Sequence, residues 1–447
     1  MPDPNRVLAL GWGPNFGCFL KQLQPFLLTR DHELFVIGVF EDRYFFGNAY
    51  IPLESLYSDT LASLNQDCLS DITRFEADLL GKQNYKFEGL AHGSEPSLDN
   101  LHAYARRLYH GMQTLISNIR PTRILCHGYG GYPAAILRCL SAQHGIRTWH
   151  FEHACFPSTI QMDVSGVNAR SSLALDSLPA HLSSHAAQKL KEYDSGNAAL
   201  LRPPIAAHYL HVAAKGRSFP LYPFSPYRGG ALLRIFNVWA RRYLFYTRPA
   251  RLRRETRCLP NTFIFAPLQV HDDAQVVLNS PWVGSMEEWL FLLTKTCPPD
   301  VSLVIKLHPA DRGRVSYRRT MRKVLQKRPD FFFVSELDAT RLIDQCLGVV
   351  TINSTVGFEA LLHHRPVIAA GHSFWTRDSL CSRASNWSEL QHLLTLMASK
   401  ALPDSTKRFE NARLLLSHAL DTSFPQGSFG NLSETQAESI VDRIVSD

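Results

Sequence analysis

The sequence predicts an α/β protein made of two Rossmann-like domains with C-terminal helices. Three observations predict it. Residues 6–40 run through an apolar strand, a glycine-rich turn, a helix-periodic stretch and a second strand, the opening βαβ unit of such a domain. From Asn261 onward short apolar runs recur, each closed by a polar turn and separated by helical patterns. The 447 residues are too many for one ordinary core, and they suit two domains of about 200 residues each.

Composition narrows the classes. Hydrophobic residues make up 45% and charged residues 19% of the chain, a globular balance rather than a disordered one. No run approaches the roughly 20 apolar residues of a membrane span. Met1-Pro-Asp-Pro-Asn-Arg6 lacks the basic start and apolar core of a signal peptide. Nine cysteines, an odd number with no C-x-x-C pair, predict reduced thiols in the cytoplasm and argue against a cysteine zinc site. The formal charge of +7 suits an anionic partner such as a nucleotide, a polyanion or a lipid surface.

The first strand, Arg6–Leu10, leads into Gly11-Trp-Gly13. A full G-x-G-x-x-G fingerprint fails, because position 16 is Phe and Gly17 comes one residue late. The turn suits an acceptor approaching the backbone at least as well as a dinucleotide. Phe19–Leu28 reads as a helix and His32–Phe40 as a strand, and a polar helical stretch follows Tyr44-Phe-Phe-Gly47 to about Asn84. A helix over Leu101–Ile119 precedes the strand Arg123–His127, the turn Gly128–Tyr132 and a helix through Leu140. The strand Gly145–His153 ends on Glu152-His153, where Glu152 either caps a neighbouring helix or faces a cleft as a general base. His127, His150 and His153 do not form a metal set, since strand alternation puts His150 and His153 on opposite faces. Met162–Ser171 reads as a turn-rich loop in which Gly166 and Asn168 suit unusual backbone angles. The chain is then polar and helical to about Gly216.

Residues 216–260 differ from the rest. Phe219–Tyr227 is aromatic and proline-rich, and Leu232–Tyr246 mixes apolar residues with Arg234, Arg241 and Arg242. Arg248, Arg251, Arg253, Arg254 and Arg257 complete a basic run relieved only by Glu255. A linker with a solvated helix is the plain reading. Aromatic and basic residues in one segment also suit an interfacial helix on anionic lipid, and no RNA-binding signature elsewhere favours nucleic acid.

In the second half, Thr262–Ala266 is a buried strand followed by Pro267-Leu-Gln-Val-His-Asp-Asp273. Two adjacent carboxylates, Asp272 and Asp273, repel each other and either cap the next helix or serve a site. Val301–Leu307 leads into His308-Pro309, and Gly348–Ile352 into Asn353-Ser-Thr-Val-Gly357. Strands over Asp330–Ser335 and Arg365–Ala370 and a helix over Met286–Thr296 fill out the domain. Polar groups past the carboxyl ends of parallel strands are where open α/β sheets bind ligands. Two such domains facing a cleft make the GT-B architecture of many nucleotide-sugar glycosyltransferases. The expected boundaries are 1–215, 216–260, 261–385 and 386–447, the last helical.

Five motifs in one order carry a resemblance: Glu152-His-Ala-Cys-Phe-Pro157, Gly166–Ser171, Pro267–Asp273, Lys306-Leu-His-Pro309 and Ile352–Gly357. The series resembles the bacterial capsule polysaccharide biosynthesis proteins, retaining β-Kdo transferases that use CMP-Kdo, a nucleotide-linked deoxy-octulosonic acid. The single-module length is similar to that of the member that adds the first Kdo to a lyso-phosphatidylglycerol terminus. The resemblance implies that His308 binds the CMP phosphate. Ser354 and Thr355, expected at a helix start, suit the same anion, and no Glu or Gln stands three residues later to make a capping box. Lys306, on the same strand face as His308, suits the substrate's anions, and Asn353 and Asn168 join the substrate-binding set. One of Asp273 and Asp272 would be the nucleophile, with Asp273 favoured. Glu152 would be the base, and Gln269 would position the sugar. No metal or other cofactor is implied. This chain departs from the family's Glu-Gly-Tyr-x-Arg-Pro run after Glu152 and lacks its arginine.

The expected protein is therefore a cytoplasmic transferase, peripheral on the inner face of the inner membrane. Its partners would be CMP-Kdo, a lipid or glycolipid acceptor, anionic lipid reached through Arg241, Arg242, Arg248, Arg251, Arg253 and Arg254, and other capsule-assembly proteins, without nucleic acid. A different CMP- or UDP-sugar transferase and a non-catalytic capsule-assembly binding protein are the alternatives.

Overall fold

The computed structural model describes residues 5–11, 14–38, 46, 49–56, 98–128, 131–156, 158–194, 259–271, 273–311, 317–335, 337–403 and 405–446. Asp272, the stretch toward Asn84 and the basic aromatic segment, with Arg241 and the arginines after it, lie outside the described residues. The described chain divides into two compact units. One runs to Ser172 and resumes at Ala419, and the other holds Leu173–Leu190 and continues to His418.

The first unit opens with β1 (Asn5–Gly11), α1 (Pro14–Leu28), β2 (His32–Gly38) and β3 (Tyr50–Pro52). It continues with α2 (Leu98–Ile119), β4 (Arg123–His127), α3 (Tyr132–Gln143), β5 (Arg147–His153) and β6 (Ile160–Asp163). Its sheet order is β3-β2-β1-β4-β5-β6, the doubly wound Rossmann order. All pairs are parallel except β5 with β6.

The β1 sequence shows why both faces are covered. Val7 and Ala9 enter a core with Phe16, Leu20 and Leu23 of α1, while Leu8 and Leu10 enter another with residues of α2 and α3. Alternate side chains of a strand point to opposite faces, so an unbroken apolar run needs cover on both.

The second unit begins with α4 (Ser184–Asp194), whose last residues pass back to the first unit, and β7 (Phe263–Pro267). Then come α5 (Ala274–Asn279), α6 (Met286–Thr296), β8 (Ser302–Lys306), α7 (Arg318–Lys327), β9 (Phe332–Val334) and α8 (Ala339–Gln345). The remainder is β10 (Val349–Thr351), α9 (Thr355–Leu362), β11 (Val367–Ala369), β12 (Ser382–Arg383) and α10 (Trp387–Ala398). The all-parallel order β9-β8-β7-β10-β11-β12 is the same Rossmann order met again. Ile264, Leu303, Val350 and Ile368 pack with Trp289 and Leu293 of α6 and with Leu390 and Leu394 of α10.

Two helices close the chain, α11 (Ser405–Thr422) and α12 (Glu434–Val445). Ser433 and Gln436 form a reciprocal capping box at the start of α12. Ile440, Val441 and Ile444 of α12 are fully buried in the core beside α1. The end of the chain thus supplies one wall of the unit that its beginning opens.

Two local expectations change. Met162–Ser171 opens on strand residues instead of loop, because β6 pairs antiparallel with β5. Its polar Gln161 and Asp163 are buried, which hides the apolar pattern of a strand. Residues 173–190, placed in the first domain by the sequence, group with the second unit. Arg377 holds them there, donating to the carbonyls of Leu173 and Asp176, while the Asp176 carboxylate meets His418 at 2.9 Å.

Candidate functional site

In a doubly wound sheet the first and fourth strands lead their connections to opposite sides, leaving a crevice at their carboxyl ends. In the second unit those strands are β7 and β10. Past β7, the Asp273 carboxylate accepts from Gln275 N at 2.9 Å and so caps α5. The preferred nucleophile therefore stands at the carboxyl edge of the sheet, half-buried, with Oδ1 engaged by the helix it starts.

Gln269 and Asn353 meet across the crevice. Gln269 Nε2 donates to Asn353 Oδ1 at 2.8 Å, and Asn353 N donates to Gln269 Oε1 at 3.1 Å. Asn353 Nδ2 also reaches the carbonyls of Gln275 at 2.7 Å and His372 at 3.0 Å. These two buried amides fasten the turn after β7 to the turn after β10. Satisfied amides in low dielectric hold loops in one arrangement. Both belong to the expected substrate-binding set, and in the structure each is a hydrogen-bond partner of the other.

Past β10, Ser354 is the N-cap of α9, its hydroxyl accepting from Val356 N at 3.3 Å, and Thr355 is exposed at the first helical position. The helix runs close beneath Trp375: a Cβ on Gly357 would lie 2.5 Å from the ring, so only glycine fits there.

At the end of β8, Lys306 is buried and its Nζ donates to Ser335 O at 3.1 Å, whereas His308 is half-exposed. The face shared by strand alternation thus does not give them equal access to solvent. The His308 carbonyl accepts from Asp311 N at 3.1 Å.

Asp311 itself, 3% exposed, was not singled out from the sequence. It accepts from His271 N at 3.0 Å, from His271 Nδ1 at 3.1 Å and from the Tyr317 hydroxyl at 2.9 Å. An isolated acid after His-Pro carries no pattern that marks such a junction; its partners become visible only in the fold.

The first unit has its own strand-end group. Glu152 Oε1 accepts from His153 N at 2.9 Å and lies 4.0 Å from His127 Nε2. His127 stacks on Phe16 at 4.8 Å and meets the edge of Phe429, which comes from the returning C-terminal segment. Gly128, at φ +70°, passes beside the carboxylate with room for no more than ordinary contact: its Cβ position is 3.6 Å from Glu152 Oε2. Glu152 is half-buried, its side chain 29% exposed, and partial desolvation raises its pKa above the ordinary carboxylate value, opposed by the His153 N–H and charge. Asn168 takes a left-handed backbone (φ +53°) and donates from its N–H to Gln161 Oε1 at 3.2 Å. Buried Asp163 gathers the same loop, accepting from Ser165 N, Ser172 N and the Ser172 hydroxyl.

His150 is buried and held neutral, its pKa pushed down to about 3 chiefly by desolvation and then by the Arg138 charge. Among the described residues no group of three or more His, Cys, Asp or Glu is placed to hold a metal ion.

The capsule polysaccharide biosynthesis protein model matches residues 122–391, more than half of the chain. The chain belongs to that family. The match begins beside β4 and ends in α10, so it takes in Glu152, Asp273, His308 and Ser354. FixF of Sinorhizobium fredii is 28% identical over 316 residues, 70% of this chain and 62% of that protein. The capsule polysaccharide modification protein LipB of Neisseria meningitidis serogroup B is 24% identical over 59% of this chain and 67% of LipB. The chain thus spans about two thirds or less of these relatives' length. A solved structure of Thermosulfurimonas dismutans KpsC, a beta Kdo 2,7 transferase, aligns over 87% of this chain and 89% of that one at 13% identity and a TM-score of 0.38.

Proposed function

We propose that this capsule-family protein is a retaining glycosyltransferase that moves β-Kdo from CMP-Kdo to a lipid or glycolipid acceptor. The observation that carries the reading is the gathering of Asp273, His308 and Ser354 past three strands of one doubly wound sheet. A carboxylate at that edge, with a histidine and a helix N-cap past the two neighbouring strands, is the set of groups that displacement of a sugar phosphate asks for. The motif series supports Kdo and CMP as the donor's parts.

In the first displacement a carboxylate oxygen of Asp273, or of Asp272, attacks the anomeric carbon while the bond to CMP breaks and CMP leaves as the phosphate monoester. In the second, the acceptor hydroxyl attacks that carbon from the other face, Glu152 takes its proton, and the aspartate is released. Two inversions give net retention. His308 and the Ser354–Thr355 helix start hold the phosphate, and a single phosphate needs no bridging metal. Arg241–Arg257 hold the enzyme on anionic lipid, where each cation near the surface contributes about 1 kcal/mol.

Incubation with CMP-Kdo and no acceptor should add the mass of one Kdo to the protein, and peptide mapping should place it on Asp273 or Asp272. Asp273→Ala and Asp272→Ala enzymes that both kept normal turnover would remove this site. Release of a different nucleotide from a panel of CMP- and UDP-sugars would replace the donor.

A further inference from the structure

Asp311 stands out among groups for which the displacement scheme has no use. It is a buried carboxylate, and two of its three donors belong to one residue, His271. A brace between loops needs only the backbone bond from His271 N. The second bond, from the ring, adds nothing to the loop path and instead fixes the plane of the imidazole. A carboxylate accepts and does not donate, so Nδ1 carries the proton and the tautomer is set. The third bond, from Tyr317, ties the same carboxylate to the start of α7. Asp311 also sits on a short helical turn, Pro309–Asp311, closed onto His308 O, so its own position is determined.

The residue so held lies in the turn that ends on Asp273. Asp273 N donates to Val270 O at 3.1 Å, which makes Val270–Asp273 one closed turn with His271 inside it. We infer that Asp311 is a positioning residue for this turn: through the His271 N–H it holds the turn that ends on Asp273, and through the ring it fixes His271 within that turn as the Nδ1–H tautomer. The inference rests on the transferase reading, since it assigns Asp311 a part in the same site.

Asp311→Asn keeps the shape and removes an acceptor; Tyr317→Phe removes one bond to Asp311 and leaves both His271 bonds. The expected result is a kcat for nucleotide release lowered at least tenfold in Asp311→Asn, with KM for the sugar nucleotide within about threefold. Tyr317→Phe should lose much less turnover at a comparable drop in melting temperature. The His271 ring ¹⁵N shifts should report protonated Nδ1 in the wild type and a mixed tautomer in Asp311→Asn, a readout that needs no substrate. Turnover within twofold of wild type in Asp311→Asn, or an unchanged tautomer, would overturn the inference. Equal losses of turnover in Asp311→Asn and Tyr317→Phe would reduce Asp311 to a loop brace and overturn it as well. Asp273→Ala keeps the two readings apart. If it is inactive while Asp311→Asn is normal, the positioning role falls and the transferase reading stands. If it turns over normally while Asp311→Asn is slow, the nucleophile falls and Asp311 keeps its role.

Discussion

The two units have the same strand order and furnish it differently. In the second, the crevice between first and fourth strands is crossed by the Gln269–Asn353 amide pair and flanked by helix starts capped by Asp273 and Ser354. In the first, the corresponding strands end beside aromatic packing, with His127 between Phe16 and Phe429, and the carboxylate Glu152 stands one strand further along. Hydrogen-bonded amides and caps make a fixed polar surface suited to an anion. Desolvation disfavours the charged form of the Glu152 carboxylate, which suits it to taking a proton. One topology thus carries two different sets of side chains at its strand ends.

The largest expected effect tests the first unit. Glu152→Gln should lower transfer at least about 100-fold, the usual range for a lost general base, while leaving formation of the covalent adduct. In the wild type the acidic limb of the pH–rate profile should lie above the ordinary carboxylate range, because a base must be ionised and burial raises the pKa here. The stability sign follows. A carboxyl whose folded pKa is raised holds its proton more firmly folded than unfolded, so stability falls as pH rises from the unfolded value of 4.5 through the folded one. Glu152→Gln should therefore lose that pH dependence and be at least as stable as wild type above the window. A variant with normal turnover, or one that is less stable at pH 8, would remove the contrast between the units.

The next effect tests the second unit. Gln269→Leu leaves Asn353 N and Oδ1 buried without their partner, which costs roughly 1–3 kcal/mol for an unsatisfied group. Urea denaturation should show the loss, and CMP affinity should fall with it, since the turn before Ser354 keeps only the Asn353 Nδ2 bonds to Gln275 and His372. Unchanged stability would mean that water replaces the amide, and the crevice would then be less fixed than the hydrogen bonds indicate.

Much of this architecture was legible in the sequence because buried parallel strands announce themselves. The apolar runs at residues 262–266 and 301–307 needed no partner to be read, and the helix Met286–Thr296 has the bounds its periodicity predicts. What stayed hidden depends on distant partners. Nothing local to Gln269 shows that its partner is Asn353, 84 residues away. Asp311 is explained by His271, 40 residues earlier. Residues 173–190 join the second unit through Arg377, whose bond to the Leu173 carbonyl spans 204 positions. Gln161 and Asp163 concealed a strand because polar side chains are buried there to bind the loop that follows. Local pattern gives the strands, while the choice between holding the fold and meeting substrate is made by contacts that only folding creates.

The smallest expected effect separates two functions of one hydroxyl. Ser354 caps α9, and removing such a cap costs about 1 kcal/mol. It is also the proposed phosphate contact, so Ser354→Ala should lose both stability and CMP affinity and by itself distinguishes nothing. Ser354→Asp does distinguish them. An aspartate caps as well as serine, and its negative charge at a helix N-terminus interacts favourably with the dipole, so the melting temperature should stay at or slightly above that of the wild type. The same charge repels a phosphate brought to that helix start, and calorimetry should show CMP binding weakened well beyond the change in Ser354→Ala. If Ser354→Asp binds CMP as the wild type does, the phosphate lies elsewhere and the serine is only a cap. The second unit's polar crevice would then keep its hydrogen bonds and lose its claim to the nucleotide.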